Sequence, residues 1–253
     1  MAKMNSAIKN ELFTVVSTER IPMSPLRKTS LVAGILYLLT FISIPTLALY
    51  GSIHQQNYIL GPGPDTAVII GNILEVIVAL TGIGTAAAMY PVLKRQNEGV
   101  AMALVGSRVL EAATIFMGVM FLLTIVTLRQ TAVGAPALVS SHTLVTMYDR
   151  MFLIGQSFMP AINDILLGWL LYQSRFVPRS VAMLALIGGP LLIAGDIGVL
   201  FGIIGQHDPF TALFAVPVAI FEFTLGIYLI VKGFNATPID YDMPDQLIQF
   251  GRD

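Results

Sequence analysis

The sequence predicts an all-α, polytopic integral membrane protein: a six-transmembrane-helix bundle with N and C termini cytoplasmic. Three observations predict it. First, 55% of the 253 residues are hydrophobic and only 11% are charged, where a soluble domain carries roughly 25%. The mean hydropathy is +0.78, and a chain this apolar needs lipid over most of its surface. Second, six apolar stretches each reach the about 20 residues that a helix needs to cross a bilayer core. Third, Lys and Arg fall almost wholly on one side of those stretches.

The six stretches run Thr29–Ile53, Thr66–Tyr90, Gly99–Leu128, Thr143–Tyr172, Val181–Ile204 and Phe210–Val231. Each is long and continuous without polar alternation, so helices are favoured over barrel strands. The connections carry turn chemistry: Gly61-Pro62-Gly63-Pro64 precedes the second stretch, Pro91 follows it, Gly134-Ala135-Pro136 precedes the fourth and Pro178 the fifth. The domain plan is a tail over 1–28, a membrane domain over 29–232 and an acidic tail over 233–253 that holds Asp240, Asp242, Asp245 and Asp253. The first apolar stretch is too long for the roughly 7–15-residue core of a cleaved signal and reads as an uncleaved anchor.

Orientation follows from the loops. One face has Lys3, Lys9, Arg20, Arg27, Lys28, Lys94, Arg95, Arg175, Arg179, Lys232 and Arg252, and the other only Arg129. Both termini are therefore expected in the cytoplasm, which also requires an even number of spans. Trp169, Tyr172 and Tyr90 fall at the cytoplasmic helix ends, as an aromatic belt does. A net charge of -1 points to no nucleic acid, and the absence of cysteine excludes disulfides and thiolate chemistry.

The informative residues are charges within the spans, where each costs about 2.5–3.5 kcal/mol on insertion scales unless it meets a partner or a wet cavity. They are Glu75, Arg108, Glu111, Asp149, Arg150, Asp164, Asp196 and Glu222, with Asn163 beside them. On the fourth stretch His142, Asp149, Gln156 and Asn163 recur every seven residues, and so do Thr143, Arg150, Ser157 and Asp164. Seven residues make nearly two helical turns, so the two sets form adjacent stripes and one polar face, expected to point into the bundle. Arg108 and Glu111 share a face of the third stretch.

Small residues near these charges favour close helix packing: Gly71, Ala79 and Gly82 near Glu75, Ala215, Ala219 and Gly226 near Glu222, and Gly198 with Gly202. Interior prolines at Pro45, Pro160, Pro190 and Pro217 each free a backbone carbonyl and allow a kink.

Acids outnumber arginines in the spans. The functional reading is a ligand or ion pathway through Glu75, Arg108, Glu111, Asp149, Arg150, Gln156, Asn163, Asp164, Asp196 and Glu222. The plainer alternative is a hydrogen-bond network that only fixes helix register. The histidines, His54, His142 and His207, all fall on the extracytoplasmic side. With a neighbouring carboxylate they suit a zinc site with an open position, although their spacing matches no metal motif and loop histidines are usually just solvated. No P-loop, G-x-S-x-G or dinucleotide fingerprint occurs. No cofactor is implied.

Three segments resemble a bacterial membrane family catalogued as domain of unknown function 4386. They are Arg27–Leu39 (RKTSLVAGILYLL), Glu98–Gly118 with its Arg108-Val109-Leu110-Glu111 core, and Gly168–Gly189 (GWLLYQSRFVPRSVAMLALIGG). Ser174 and Pro178 match that family's loop after the fourth helix, whereas Gln173 and Arg175 depart from its basic-Ser-Gly pattern. The resemblance implies a multi-pass helical protein of a bacterial cytoplasmic membrane with no assigned reaction. The expected function is binding or transport of a small polar or amphipathic ligand. The alternatives are an outer-face metal-dependent hydrolase and a non-catalytic membrane partner or sensor. Expected partners are the bilayer and a small molecule, ion or lipid.

Overall fold

The computed structural model of the chain describes residues 23–55, 58–61, 64–131 and 134–235. Residues 1–22 and 236–253, which include most of both expected tails, lie outside them. Six helices are long and apolar enough to cross a membrane: α1 (Pro25–Leu49), α2 (Thr66–Leu93), α3 (Glu98–Gln130), α4 (Pro136–Ser174), α5 (Arg179–Leu200) and α6 (Pro209–Val231). Among the described residues there is no strand. Successive helices pack against one another, and α1 also packs along α6, so the bundle closes into a ring.

Local chemistry explains where the helices start. The Ser24 hydroxyl accepts from the Arg27 N–H at 3.2 Å, with Pro25 in the first turn of α1. Pro209 likewise opens α6. The fourth helix begins earlier than expected, because Gly134 turns the chain at φ 78° and Pro136 stands in the first turn. The second ends later: Pro91 lies inside α2 rather than after it. Pro178 precedes α5 as expected.

Two helices are irregular. In α1 a 3-10 turn over Phe41–Ser43 precedes Pro45 and a short α-helical turn, Thr46–Leu49. In α4 a π segment over Leu153–Phe158 precedes Pro160. Proline cannot donate to the carbonyl four residues before it, so both ladders loosen where a proline stands. Pro190 and Pro217, by contrast, lie within α5 and α6 without ending them.

The bundle is apolar outside and polar at its centre. Leu47, Leu80, Met120, Ile187 and Leu213 are exposed on its outer surface, the arrangement that lipid solvates. Two apolar clusters lie on either side of the polar centre. One, at the end where the described chain starts and stops at residues 23 and 235, gathers Leu93, Leu104, Leu170, Phe176 and Leu229. The other, beneath the opposite loops, gathers Tyr50, Ile53, Tyr58, Leu122, Ile125 and Tyr148.

Candidate functional site

Arg108 on α3 is the hub of the polar centre and is 3% exposed. Its Nη1 donates to Glu111 Oε2 at 3.0 Å and Oε1 at 3.3 Å, and its Nη2 to Glu222 Oε1 on α6 at 3.2 Å. The same Nη2 lies 3.1 Å from the Tyr37 hydroxyl on α1. Asn163 Nδ2 on α4 donates to Glu111 Oε2 at 2.6 Å. One guanidinium thus joins α1, α3 and α6 directly, and α4 through Glu111. Its planar fork suits several acceptors at once. Asp164, fully buried near this group, has neither carboxylate oxygen hydrogen-bonded among the described residues.

A second group lies further toward the loops. Glu75 on α2 accepts from the Tyr148 hydroxyl at 2.7 Å and from Gln156 Nε2 at 3.1 Å. Beside it Tyr50 donates to Asn72 Oδ1 at 3.4 Å. On the other side of α4, Ser157 donates to Asp196 Oδ1 on α5 at 2.7 Å. Gln156 and Ser157 both belong to the π segment, whose wider turn sends these adjacent side chains to different helices.

Between the two groups lies a partly open cavity of about 220 Å³. Its polar wall is Arg108, Glu111, Glu222, Gln156 and Ser157. Its apolar wall includes Ile44, Val78, Ile115, Leu192 and Val218. Both irregular segments reach it: Phe41 and Ser43 from the break in α1, and Gln156, Ser157 and Pro160 from α4. Ala215 and Ala219 on α6 also line it.

A third group sits at the loop end. His54 Nε2 is 3.1 Å from Asp149 Oδ1, and His207 Nε2 is 3.7 Å from Asp149 Oδ2. The hydrogen bond to Asp149 holds His54 above the usual imidazole range, against the lowering effect of burial. Close by, Arg129 donates to Asp65 Oδ1 at 2.5 Å and to the Gly61 carbonyl at 2.6 Å, and its guanidinium lies 4.4 Å from the Tyr58 ring centre. Burial and the Asp65 carboxylate push the Tyr58 phenol up to about 12.

Of the residues singled out in the sequence, the fold gathers Arg108, Glu111, Asn163, Asp164 and Glu222 in the first group, and Glu75 and Gln156 in the second. Asp196 stands beside Ser157, and Asp149 joins the histidines at the loop end. Three expectations need correction. Arg150 is exposed, and so are His142 and Thr143, so the polar face of α4 does not point inward along its whole length. A strict seven-residue repeat drifts around a 3.6-residue helix, and the π segment resets the register between its halves. His142 is not with the other two histidines, whose carboxylate partner is Asp149. Gly198 and Gly202 form no helix seam: Gly202 lies beyond α5 at φ 69°, and Gly198, on α5, faces Ile204 of the loop that follows.

Tyr148 donates to Glu75, Tyr37 accepts from Arg108 and Tyr50 donates to Asn72, and the pattern of charges in the sequence points to none of these three phenols. Their only sequence signal is a phenol within an apolar span, which a membrane-interface tyrosine shares.

Fold and site together define a multi-pass integral membrane protein whose helices enclose a buried charge network. The chain matches the family described as Domain of unknown function (DUF4386) over residues 32–233, and it belongs to that family. No curated protein matches it. No solved structure matches it either.

Proposed function

We propose that this protein binds a small amphipathic ligand inside the membrane, in the cavity between the α1 break and the π segment of α4, as a carrier or receptor for it. The observation that carries the reading is the lining of that cavity. Charged groups from α3 and α6 form one wall and aliphatic side chains the other. At about 220 Å³ the space falls below the roughly 300–1,000 Å³ of drug-sized sites, so the ligand is small. Glu111 and Glu222 face a single guanidinium, which favours a ligand with a cationic or hydrogen-bond-donating head. The apolar wall suits a short hydrocarbon portion.

Irregular helices at mid-membrane depth support the same reading, because loosened backbone there is stable only against protein or a cavity. The excess of Lys and Arg at the end bearing the termini supports a cytoplasmic position for that end. The family resemblance supports a bacterial cytoplasmic membrane.

The test is native mass spectrometry of tag-free protein released from lipid nanodiscs. A stoichiometric small-molecule adduct is expected, lost in Glu222→Gln and Glu111→Gln and retained in Arg150→Ala, whose side chain is exposed away from the cavity. An adduct that survives both glutamate substitutions, or native protein that is empty in nanodiscs of its own lipid extract, would sink the reading.

A further inference from the structure

We propose that His54, Asp149 and His207 form a divalent transition-metal site, suited first to zinc, that ties three separate chain segments together at the loop end of the bundle. The site is distinct from the mid-membrane cavity and does not depend on the ligand proposed for it. His54 comes from the loop after α1, Asp149 from α4 and His207 from the loop between α5 and α6. One donor atom from each lies within 4.8 Å of the others.

The argument begins at the His54 ring. Its Nδ1 lies 3.0 Å from the Tyr50 carbonyl, which can only accept, so Nδ1 carries a proton. A neutral ring then has a bare lone pair on Nε2. That lone pair faces Asp149 Oδ1 at 3.1 Å, another pure acceptor when ionised. Two lone pairs do not rest at that distance with nothing between them. The geometry needs a positive centre there, either a second ring proton or a metal ion. The backbone bond on the far nitrogen is the one that metal-binding histidines commonly make, because it fixes the tautomer and the ring plane.

His207 decides between the two. A proton on His54 satisfies one oxygen of Asp149, but a second imidazole nitrogen lies 3.7 Å from the other oxygen. A zinc ion with bonds of about 2.0–2.1 Å sets tetrahedral donors about 3.3 Å apart. The His54 Nε2–Asp149 Oδ1 separation of 3.1 Å is close to that edge length, and His207 Nε2, 3.7 Å from the other oxygen of the same carboxylate, completes a set whose donor atoms lie within 4.8 Å of one another. Two imidazoles and one carboxylate make a three-ligand set that leaves a fourth position for water. The exposure of His207 gives the ion a way in.

The supports are built for the purpose. Gln206 Nε2 donates to the Asp149 carbonyl at 2.7 Å and pins the second loop to α4. The Gly205 N–H donates to Asp208 Oδ2 at 2.8 Å, and the Thr211 hydroxyl to the Gly205 carbonyl at 2.6 Å. His207 is therefore presented on a closed turn.

The experiment uses the full-length, tag-free protein in detergent, stripped with chelator and titrated with zinc by calorimetry and with cobalt by visible absorption. One zinc per chain is expected, together with the intense bands of four-coordinate cobalt. His54→Ala, His207→Ala and Asp149→Asn should each weaken binding at least tenfold, while His142→Ala binds as the parent does. The cobalt spectrum of the unsubstituted protein keeps the test meaningful should a variant misfold. Six-coordinate cobalt bands, no saturable zinc binding, or an equal loss in His142→Ala would overturn the proposal.

Discussion

At the scale of single residues, the guanidinium of Arg108 decides how the centre of the bundle is held. It is nearly fully buried and bonds two carboxylates and a phenol. Removing one partner of a buried ion pair strands the other, which costs about 3–5 kcal/mol. Arg108→Gln should therefore lower stability by about that amount in a denaturant titration in detergent micelles, because Glu111 and Glu222 then face each other uncompensated. Adding Glu111→Gln and Glu222→Gln to the same chain should restore most of the loss. If the triple variant were as unstable as the single one, geometry rather than charge would be holding the centre. Arg175 poses a smaller question. It closes α4 in the left-handed conformation at φ 59°, at the position where the resembled family pattern has Gly. A side chain there costs roughly 1–2 kcal/mol, partly offset by the freedom that glycine gains in the unfolded chain. Arg175→Gly is expected to raise the melting temperature slightly, by the equivalent of about 1 kcal/mol or less. A drop would mean that the Arg175 side chain does more than occupy the turn. Arg108 and Glu111 could be read from the sequence because a charge in an apolar span is conspicuous. Their partners could not, since Tyr37 and Glu222 lie 71 and 114 residues from Arg108 along the chain.

Between elements, close approach depends on a few glycines. Where α1 crosses α6, a β-carbon on Gly34 would lie 2.7 Å from the Gly226 carbonyl oxygen, and one on Gly226 would lie 2.8 Å from Leu38. The first neighbour is backbone and cannot rotate aside. Overpacking of this kind costs about 1–3 kcal/mol, so Gly34→Ala should destabilise by that amount. Gly106→Ala on α3 has nothing within 4 Å of the added carbon. In a helix interior that change should instead stabilise by roughly 0.5–1 kcal/mol. Thermal melts of the two variants in the same detergent separate packing from helix propensity, and equal shifts would refute the contact argument. Length and apolar content mark each helix because a bilayer demands both. Crossing points are set by three-dimensional approach, so the sequence marks Gly226 as a small residue near Glu222 and Gly34 only as part of a family-like segment, with nothing that pairs the two. The breaks in α1 and α4 were foreseeable as proline effects at Pro45 and Pro160. The π geometry of Leu153–Phe158 was not, because it also depends on the neighbours that Gln156 and Ser157 reach.

For the whole molecule, the distribution of Lys and Arg predicts which side of the membrane each end faces. Several cations at the end where residues 23 and 235 lie have local work. Arg27 donates to the carbonyls of Leu229 and Ile230, the unpaired end of α6. Arg179 lies 4.8 Å from the ring centre of Tyr172 and Lys94 5.6 Å from that of Tyr90. These roles would serve equally well on either side of a membrane. Their placement at one end still matters for insertion, because translocating Lys and Arg is unfavourable whatever they later bind. At the opposite end Arg129 is paired with Asp65, so little positive charge opposes translocation there. The chain contains no cysteine, so single cysteines report on sidedness without interference. Lys94→Cys lies in the turn between α2 and α3, and Ser140→Cys is exposed near the start of α4 at the other end. In intact cells an impermeant maleimide should label Ser140→Cys directly, and Lys94→Cys only once the membrane is opened. The reverse pattern would place the termini outside. It would also move the His54, Asp149 and His207 cluster to the cytoplasmic face, and the metal proposed for it would then be supplied from within the cell.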